Sequence, residues 1–298
     1  MHKDNMEELR KNRFFVLIIA IVALEAILFS TGNFKLNEEE RLKREADTRI
    51  NASLQNIEIE AKALSVYDIT ENKKIYGRND AVAMPLASLA KTMTVIVTLN
   101  NHSENDVVLI SKDALRQAGD YGLWIGEKWE VGDLAKFTLI ASANDGAYAL
   151  AGDDSGFLEK MNSKARRIGM DNTLFLNFTG LDLDLGQAGA FASAEDANAM
   201  AVYGLRAYPE IFSTTAISEI NLNSVSGFVH NFKNTNTIIG KIPGLLFSKT
   251  GYTEIAGGNL TVVFQDRKGH YLAVTILGSS FLGRFSDMER IVETLYNM

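Results

Sequence analysis

The segment Ser88-Leu89-Ala90-Lys91 has a spacing that suits covalent chemistry. Residues three apart lie on one face of a helix, so the amine of Lys91 would lie one turn from the hydroxyl of Ser88 and within reach of its proton. A serine near a helix start also lies beside free backbone N–H groups. About one S-x-x-K is expected by chance in a chain with this many serines. Alone, the spacing favours the simpler interpretation, a helix-terminal serine and an exposed lysine.

Two further short segments carry polar groups that can act together. Ser142 and Asn144, within IASANDGAYAL, place a hydroxyl and an amide two residues apart, and both face a cleft if the segment is a loop or a helix end. By itself this pair is also a common helix cap. Lys249-Thr250-Gly251 lies inside LLFSKTGYTEIAGGNL. On a strand, a lysine and a hydroxyl there would bind a carboxylate, and the glycine would let a ligand approach the backbone.

The composition excludes several other kinds of chemistry. The chain has no cysteine, which removes disulfides, thiolate metal sites and cysteine nucleophiles. Its four histidines are scattered, so neither a metal site nor a Ser-His-Asp triad is indicated. A net charge of -7 argues against nucleic-acid binding. Hydrophobic residues make up 46% and charged residues 22%, which is typical of a globular protein. A covalent hydrolase built from this chain would need a base other than histidine.

The elements that must position these residues follow from hydrophobic periodicity. Strands are predicted at both ends of the region after residue 60, and helices between them. The predicted strands cover residues 61–69, 73–77, 259–266 and 270–278, and the predicted helices cover residues 88–99, much of 104–215 and 285–296. A sheet built from both ends of the chain, with helices inserted, indicates an α+β body with a cleft between sheet and helical lobe.

The N-terminal region predicts a membrane anchor. Residues 14–29 read FFVLIIAIVALEAILF, and extension to residue 32 approaches the roughly 17–25 apolar residues that span a bilayer. We expect an uncleaved transmembrane helix over residues 14–32; the alternative is a cleaved signal peptide, since Ser30-Thr31-Gly32 supplies small residues. The basic cluster at residues 10–13 places residues 1–13 in the cytoplasm. Residues 33–59 then form a polar stalk, and residues 60–298 form a catalytic body on the outer side.

Taken together, the three segments and their order resemble the serine D-alanyl-D-alanine carboxypeptidases, the low-molecular-weight penicillin-binding proteins. The resemblance covers roughly residues 60–298 and includes SVYDITENKKIYGRNDAVAMPLASLAKTMT, LIASANDGAYALA and SKTGYTEIAGGNLTVVFQD. It implies the β-lactamase/DD-peptidase fold, an antiparallel sheet flanked by helices with an all-helical lobe. The sequence differs from the usual family pattern at residues 177–180 and 246–248. These differences concern fine substrate specificity and not the reaction class.

The resemblance also implies a role for each residue of the three segments. Ser88 would be the nucleophile and Lys91 the general base, with its pKa lowered by desolvation or by a nearby cation such as Lys249. Ser142 would relay a proton to the leaving amine, and Asn144 would bind the substrate amide.

The rest of the implied site binds charge. Lys249, Thr250 and Gly251 would hold the terminal carboxylate of the substrate. The backbone N–H groups of Ser88 and Tyr252 would form an oxyanion hole. The family's chemistry needs no metal and no organic cofactor.

The function implied is removal of the terminal D-alanine from peptidoglycan stem peptides, with β-lactams as covalent inhibitors. Three alternatives stay open: a D,D-endopeptidase, a class A-like β-lactamase, and a non-catalytic β-lactam sensor. A class A enzyme needs a deacylating glutamate between the second and third segments. Residues 171–190 contain Asp171, Asp182 and Asp184 but no glutamate. The intact set of polar residues argues against the sensor.

Overall fold

The computed structural model describes residue 38 and residues 41–42, 44–183 and 186–297. The chain divides into two compact units, residues 1–52 and residues 53–298. The predicted cytoplasmic tail and transmembrane helix, residues 1–13 and 14–32, lie outside the described residues. No helix within the described ranges combines the length and the apolar character needed to cross a membrane. The anchor therefore stays a prediction.

The strands of the second unit begin close to the predicted start of the catalytic body. They are β1 (Ala63–Asp68), β2 (Lys73–Arg78), β3 (Met84–Pro85), β4 (Val107–Leu109), β5 (Lys128–Glu130), β6 (Leu174–Phe175), β7 (Ala190–Ala192), β8 (Glu219–Asn223), β9 (Val229–Lys233), β10 (Leu245–Thr253), β11 (Gly257–Gln265) and β12 (Tyr271–Ser279).

The helices are distributed along the chain between these strands. They are α1 (44–55), α2 (Lys91–Asn101), α3 (Val131–Ile140), α4 (Asn144–Ala151), α5 (Phe157–Arg167), α6 (Ala194–Ala207), α7 (Pro209–Phe212) and α8 (Gly283–Tyr296), with short 3-10 helices at Ala87–Ala90, Ala114–Arg116, Ser213–Ala216 and Ile239–Lys241.

In the part of the chain that is described, five strands form one antiparallel sheet in the order β10-β11-β12-β1-β2. Strands from both ends of the chain meet at its centre, where Val66 of β1 lies opposite Val274 of β12. Consecutive residues Leu260–Phe264 of β11 are all buried, so both faces of the sheet are covered. Helix α6 packs on β1 and β12, and α8 packs on β11 and β12. The predicted α+β sheet, built from both chain ends, is confirmed.

Helix α2 is the central helix of the helical lobe. Every residue from Lys91 to Leu99 is buried, and α3, α4 and α5 all contact the helix. A helix buried on all faces can hold a lysine at its start only if that lysine has polar partners, since an unpaired buried charge is strongly unfavourable. The element that carries the S-x-x-K lysine is therefore a helix enclosed by the rest of the lobe.

The middle of the chain contains more strand than the periodicity predicted. The hairpins β4–β5 and β8–β9 and the small sheet β3-β7-β6 were missed, because short polar strands carry little periodic signal. The expected helical stretch around residues 134–151 is two helices, α3 and α4, separated at residues 141–143. That break places Ser142 at the junction of the two helices.

A buried carboxylate joins the two ends of the catalytic body. Asp287 of α8 is 1% exposed and accepts hydrogen bonds from the backbone of Glu60 (3.1 Å) and Ala61 (2.9 Å) and from Ser279 Oγ (2.7 Å). The residues before β1 are thereby held against the last helix and the last strand. A buried acceptor with three donors is costly to remove, since each donor would lose its partner.

We predict that Asp287→Ala lowers the free energy of unfolding by about 2–5 kcal/mol, since it leaves buried donors without partners. Urea denaturation followed by circular dichroism measures this difference. Asp113→Ala is the control, because Asp113 pairs with Arg116 on the surface and its loss should cost less than about 1 kcal/mol. Equal losses in the two variants would contradict the role given to Asp287.

Candidate active site

The chain turns sharply just before the serine of the S-x-x-K segment. Ser88 lies in the 3-10 helix that leads into α2, and Ala87 before it has a φ of +49°, in the left-handed region. Gly180 (φ +75°) packs directly on this turn, and a Cβ there would lie 1.9 Å from the carbonyl oxygen of Ala87. A strained alanine held by a glycine contact fixes where the Ser88 side chain emerges.

The side chains of Lys91 and Ser88 are in contact, as the helical spacing predicted. Lys91 Nζ lies 2.8 Å from Ser88 Oγ and donates a second hydrogen bond to the carbonyl of Thr179, also at 2.8 Å. The loop that presents this carbonyl is folded on Asn177, whose Oδ1 accepts from the backbone N–H of Gly180 at 2.7 Å. The segment 177–180 therefore holds the Lys91 amine in place, a role that the sequence did not reveal.

Burial changes the ionisation of Lys91. The side chain is 0% exposed, and its desolvation lowers the pKa of Lys91 to about 7, against a smaller opposing effect from the carboxylate of Asp145. Burial likewise raises the pKa of Asp145 to about 6. The sequence suggested two causes for a lowered pKa of Lys91, desolvation and a nearby cation such as Lys249. In the structure, desolvation is the cause that lowers it. Near neutral pH a large share of Lys91 is a free amine that can accept a proton.

Ser142 occupies the junction between α3 and α4 and faces the third segment. Its φ is +58°, a second non-glycine residue in the left-handed region at this site. Lys249 Nζ lies 2.8 Å from Ser142 Oγ, so the second and third segments are joined directly. Asn144 begins α4 and is 5% exposed; its Nδ2 donates to the carbonyl of Ala118 (2.6 Å) and to Tyr121 Oη (3.2 Å). Its Oδ1 is buried and has no hydrogen-bond partner among the described residues.

Strand β10 forms the edge of the large sheet and carries the third segment. A Cβ on Gly251 would lie 2.8 Å from the carbonyl oxygen of Leu86 and 3.3 Å from the nitrogen of Leu89. This close approach, which only glycine permits, brings β10 against the turn that carries Ser88. The backbone groups of Ser88 and Tyr252, predicted to form an oxyanion hole, are the immediate neighbours of this contact. Their role stays a prediction.

The side chains of Lys249 and Thr250 extend from β10 toward different partners. Lys249 is 1% exposed and also donates to the carbonyl of Thr250 at 2.8 Å. Burial first, and then the positive charges of Lys91 and Arg284, hold the pKa of Lys249 well below its ordinary value. The Oγ1 of Thr250 lies 2.6 Å from that of Thr235. Two lysine amines thus share one desolvated cleft.

Arg284 is a charged residue at the site that sequence reasoning missed. It lies on α8, is 5% exposed, and donates from Nη1 to the carbonyl of Gly251 at 2.7 Å. The ring centres of Phe281 and Phe285 lie 4.6 and 4.7 Å from the guanidinium carbon of Arg284. Among the described residues, no carboxylate forms an ion pair with this guanidinium. Burial lowers the pKa of Arg284 to about 10. Its partner is a backbone carbonyl 33 residues earlier, so no local spacing announces it.

Comparison with known proteins agrees with this arrangement. A family model described as D-alanyl-D-alanine carboxypeptidase (Peptidase_S11) matches residues 49–280. The chain belongs to this family. It is 32% identical over 228 residues to the D-alanyl-D-alanine carboxypeptidase DacF of Bacillus subtilis, with 73% of this chain and 57% of the relative covered. It is 30% identical over 210 residues to a D-alanyl-D-alanine endopeptidase of Pseudomonas aeruginosa, covering 67% of this chain and 66% of the relative. The chain thus spans less than two thirds of the length of either relative.

Solved structures of the family share the fold. Penicillin-binding protein D2 from Listeria monocytogenes, in its ampicillin-bound form, superimposes with a TM-score of 0.67 at 28% identity, over 80% of this chain and 98% of that one. A D-alanyl-D-alanine carboxypeptidase from Mycobacterium tuberculosis H37Rv gives a TM-score of 0.73 at 23% identity, over 81% and 93%. The β-lactamase/DD-peptidase fold expected from the resemblance is confirmed.

We predict that the reactivity of Ser88 follows the ionisation of Lys91. The rate of acylation by a fluorescent penicillin should rise about tenfold per pH unit below pH 7 and level off above it, because only the neutral amine accepts the proton. Stopped-flow labelling between pH 5 and 9 measures this profile.

The Asp145→Asn variant tests the sign of the neighbouring charge. Removing a carboxylate that raises the pKa of Lys91 should lower that pKa and move the midpoint to lower pH. A midpoint that stays in place or moves upward in this variant would show that the Asp145 charge does not act on Lys91.

Proposed function

We propose that this chain is a serine-type D-Ala-D-Ala carboxypeptidase that trims the terminal D-alanine from peptidoglycan stem peptides through an acyl-enzyme on Ser88. The observation that carries the proposal is the 2.8 Å contact between the Ser88 hydroxyl and the buried amine of Lys91. In a member of this family, that contact supplies a nucleophile with its base already in place. The relatives named carboxypeptidase, DacF among them, support the same reaction class.

Acylation uses the two lysine–serine pairs in turn. The Ser88 oxygen attacks the carbonyl carbon of the penultimate D-alanine while Lys91 takes its proton. The tetrahedral oxygen develops negative charge beside the backbone N–H groups of Ser88 and Tyr252. When the C–N bond breaks, the amine of the leaving D-alanine receives a proton from Ser142, which the Lys249 amine contacts. The proton held by Lys91 replaces the one that Ser142 gave, so that Lys91 is a free amine again. Water then attacks the acyl carbon, and Lys91 accepts a proton from the water and returns it to the Ser88 oxygen as the acyl C–O bond breaks.

The other end of the cleft has hydroxyl and positively charged groups that would bind the terminal carboxylate of the substrate. Thr250 and Lys249 face this end, and Arg284 adds positive charge behind Gly251. Burial, and then the charges of Lys91 and Arg284, lower the pKa of Lys249; an arriving carboxylate would oppose these effects and favour the ammonium form of Lys249. Substrate binding is thus coupled to proton uptake at this end. The Oδ1 of Asn144 has no hydrogen-bond partner among the described residues and is the atom that would accept from the substrate amide N–H.

An endopeptidase that cuts D,D-cross-links is the second candidate. Relatives named D-alanyl-D-alanine endopeptidase match at 30% identity in Pseudomonas aeruginosa and 27% in Escherichia coli. The same nucleophile and base serve both reactions, and the difference lies in whether the site accepts a chain beyond the terminal residue. A β-lactamase is disfavoured, since residues 171–190, the region that would carry the deacylating glutamate of a class A enzyme, contain no glutamate.

We predict that Ser88→Ala abolishes covalent labelling by fluorescent penicillin and hydrolysis of a D-Ala-D-Ala pentapeptide, because no other group replaces the attacking oxygen. Gel fluorescence and mass spectrometry of the product measure both. Ser111→Ala is the matched control, since Ser111 Oγ only accepts from the backbone of Ala114. Labelling that persists in Ser88→Ala would remove Ser88 from the nucleophile role.

The same assay on two substrates separates the candidates. A carboxypeptidase releases free D-alanine from the pentapeptide and leaves a cross-linked muropeptide dimer intact. An endopeptidase converts the dimer to monomers. Faster turnover of the dimer than of the pentapeptide would favour the second candidate.

The membrane placement is also a proposal. Residues 14–32 would anchor the chain in the cytoplasmic membrane as a single pass, with the catalytic body on the outer side, where peptidoglycan lies. The apolar run and the basic cluster before it support this arrangement.

We predict that protease added to intact spheroplasts digests residues 33–298 and spares residues 1–13, because the membrane shields only the cytoplasmic side. Immunoblots against tags at each end measure the fragments. Lysed spheroplasts are the control in which both ends are lost. A catalytic body protected until lysis would contradict both the topology and the peptidoglycan substrate.

A further inference from the structure

A second threonine hydroxyl stands behind the third segment of the site. Thr235, half-buried between β9 and β10, has its Oγ1 2.6 Å from the Oγ1 of Thr250. Its backbone N–H donates to the carbonyl of Ile140, the last residue of α3, at 3.2 Å. Ser142 follows two residues later. Thr235 is therefore held against the segments that carry both Ser142 and Thr250.

The neighbours of Thr235 fix its position. Asn234 Nδ2 donates to the carbonyls of Thr215 (2.9 Å) and Ile217 (3.0 Å). Its Oδ1 accepts from the backbone N–H of Asn236 at 2.8 Å. The loop on either side of Thr235 is thus tied to the helical segment beneath it, and its hydroxyl is presented from a fixed backbone.

A count of protons shows what this pairing can do. Two hydroxyls have two protons, and the hydrogen bond between them uses one. The proton left over belongs to whichever hydroxyl accepts. An ionised carboxylate only accepts, so Thr250 can bind one only while it keeps its own proton free to donate. That requires Thr235 to be the donor of the pair.

We propose that Thr235 is a positioning residue that makes the site selective for substrates ending in a free carboxylate, by donating to Thr250 and leaving the Thr250 proton for the substrate. The inference rests on the proposed function, whose substrate it specifies further. A terminal amide offers both donor and acceptor atoms, so it is served by either orientation of the hydroxyl pair. Thr235 therefore contributes to selectivity between chain ends and not to the chemical step itself.

The test compares two peptides on three variants. The peptides are acyl-D-Ala-D-Ala with a free carboxylate and the same peptide as its C-terminal amide. The variants are Thr235→Val, which keeps the shape and loses the hydroxyl, Thr235→Ser, which keeps the hydroxyl, and Thr261→Val. The last is the matched control, because Thr261 and Thr275 form a similar hydroxyl pair inside the sheet, with 2.9 Å between the two oxygens.

We expect Thr235→Val to lower kcat/KM on the carboxylate peptide roughly threefold to tenfold, the range for a hydrogen bond between neutral groups, because Thr250 keeps its proton but loses the donor that directs this proton toward the substrate. The loss should fall mainly on KM, and kcat/KM on the amide should change less than about threefold. Thr235→Ser should keep the selectivity of the unmodified protein, as should Thr261→Val. Equal losses on both peptides, or the same loss in Thr235→Ser, would overturn the proposal. If Thr235→Val does not fold, Thr235→Ala makes the same comparison.

A binding measurement separates this proposal from the proposed function. Calorimetry in the Ser88→Ala background reports recognition of the two peptides without turnover. If the unmodified protein cleaves neither peptide while Thr235→Val selectively weakens binding of the carboxylate form, the proposed reaction fails and the role of Thr235 stands. If cleavage occurs and Thr235→Val does not alter the binding preference, the role of Thr235 is wrong and the reaction stands.

Discussion

Burial of the Lys91 amine is the constraint around which the cleft is built, because an ammonium with no water and no paired carboxylate is strongly disfavoured. The protein meets this constraint with neutral partners, the Ser88 hydroxyl and the Thr179 carbonyl. Neither partner stabilises a charge as an adjacent carboxylate would. The result is an amine that loses its proton near neutral pH and is ready to take another from its serine neighbour.

The rest of the site contributes to this burial. Gly180 and Gly251 allow two backbones to lie directly against the turn that carries Ser88. Lys249 occupies the opposite wall and is itself desolvated, so the cleft holds two amines whose charges oppose one another. Asp145 is the nearby group that works against this arrangement, and its own burial weakens its effect. Burial and the balance of these charges together set the pKa of each lysine.

Much of this site could be predicted from the sequence, because its central contact is local. Ser88 and Lys91 are three residues apart at the start of a helix, so their contact follows from helical geometry. The strands at both chain ends had clear periodicity as well. Thr179, Thr235 and Arg284 could not be predicted, since each acts through a backbone carbonyl or a hydroxyl that only the fold brings near. Short strands such as β4 and β8 left too few residues for a periodic signal.

The pairing of β1 with β12 sets the order in which this protein can be completed. Val66 meets Val274, so β1 has no neighbour on that side until more than two hundred further residues have been made. Contacts this distant in sequence slow folding, because a long loop must close before they form. The strand that carries Lys249 also lies near the end of the chain. A half-made chain therefore lacks β10, β11 and β12, and with them the segment that carries Lys249 and Thr250.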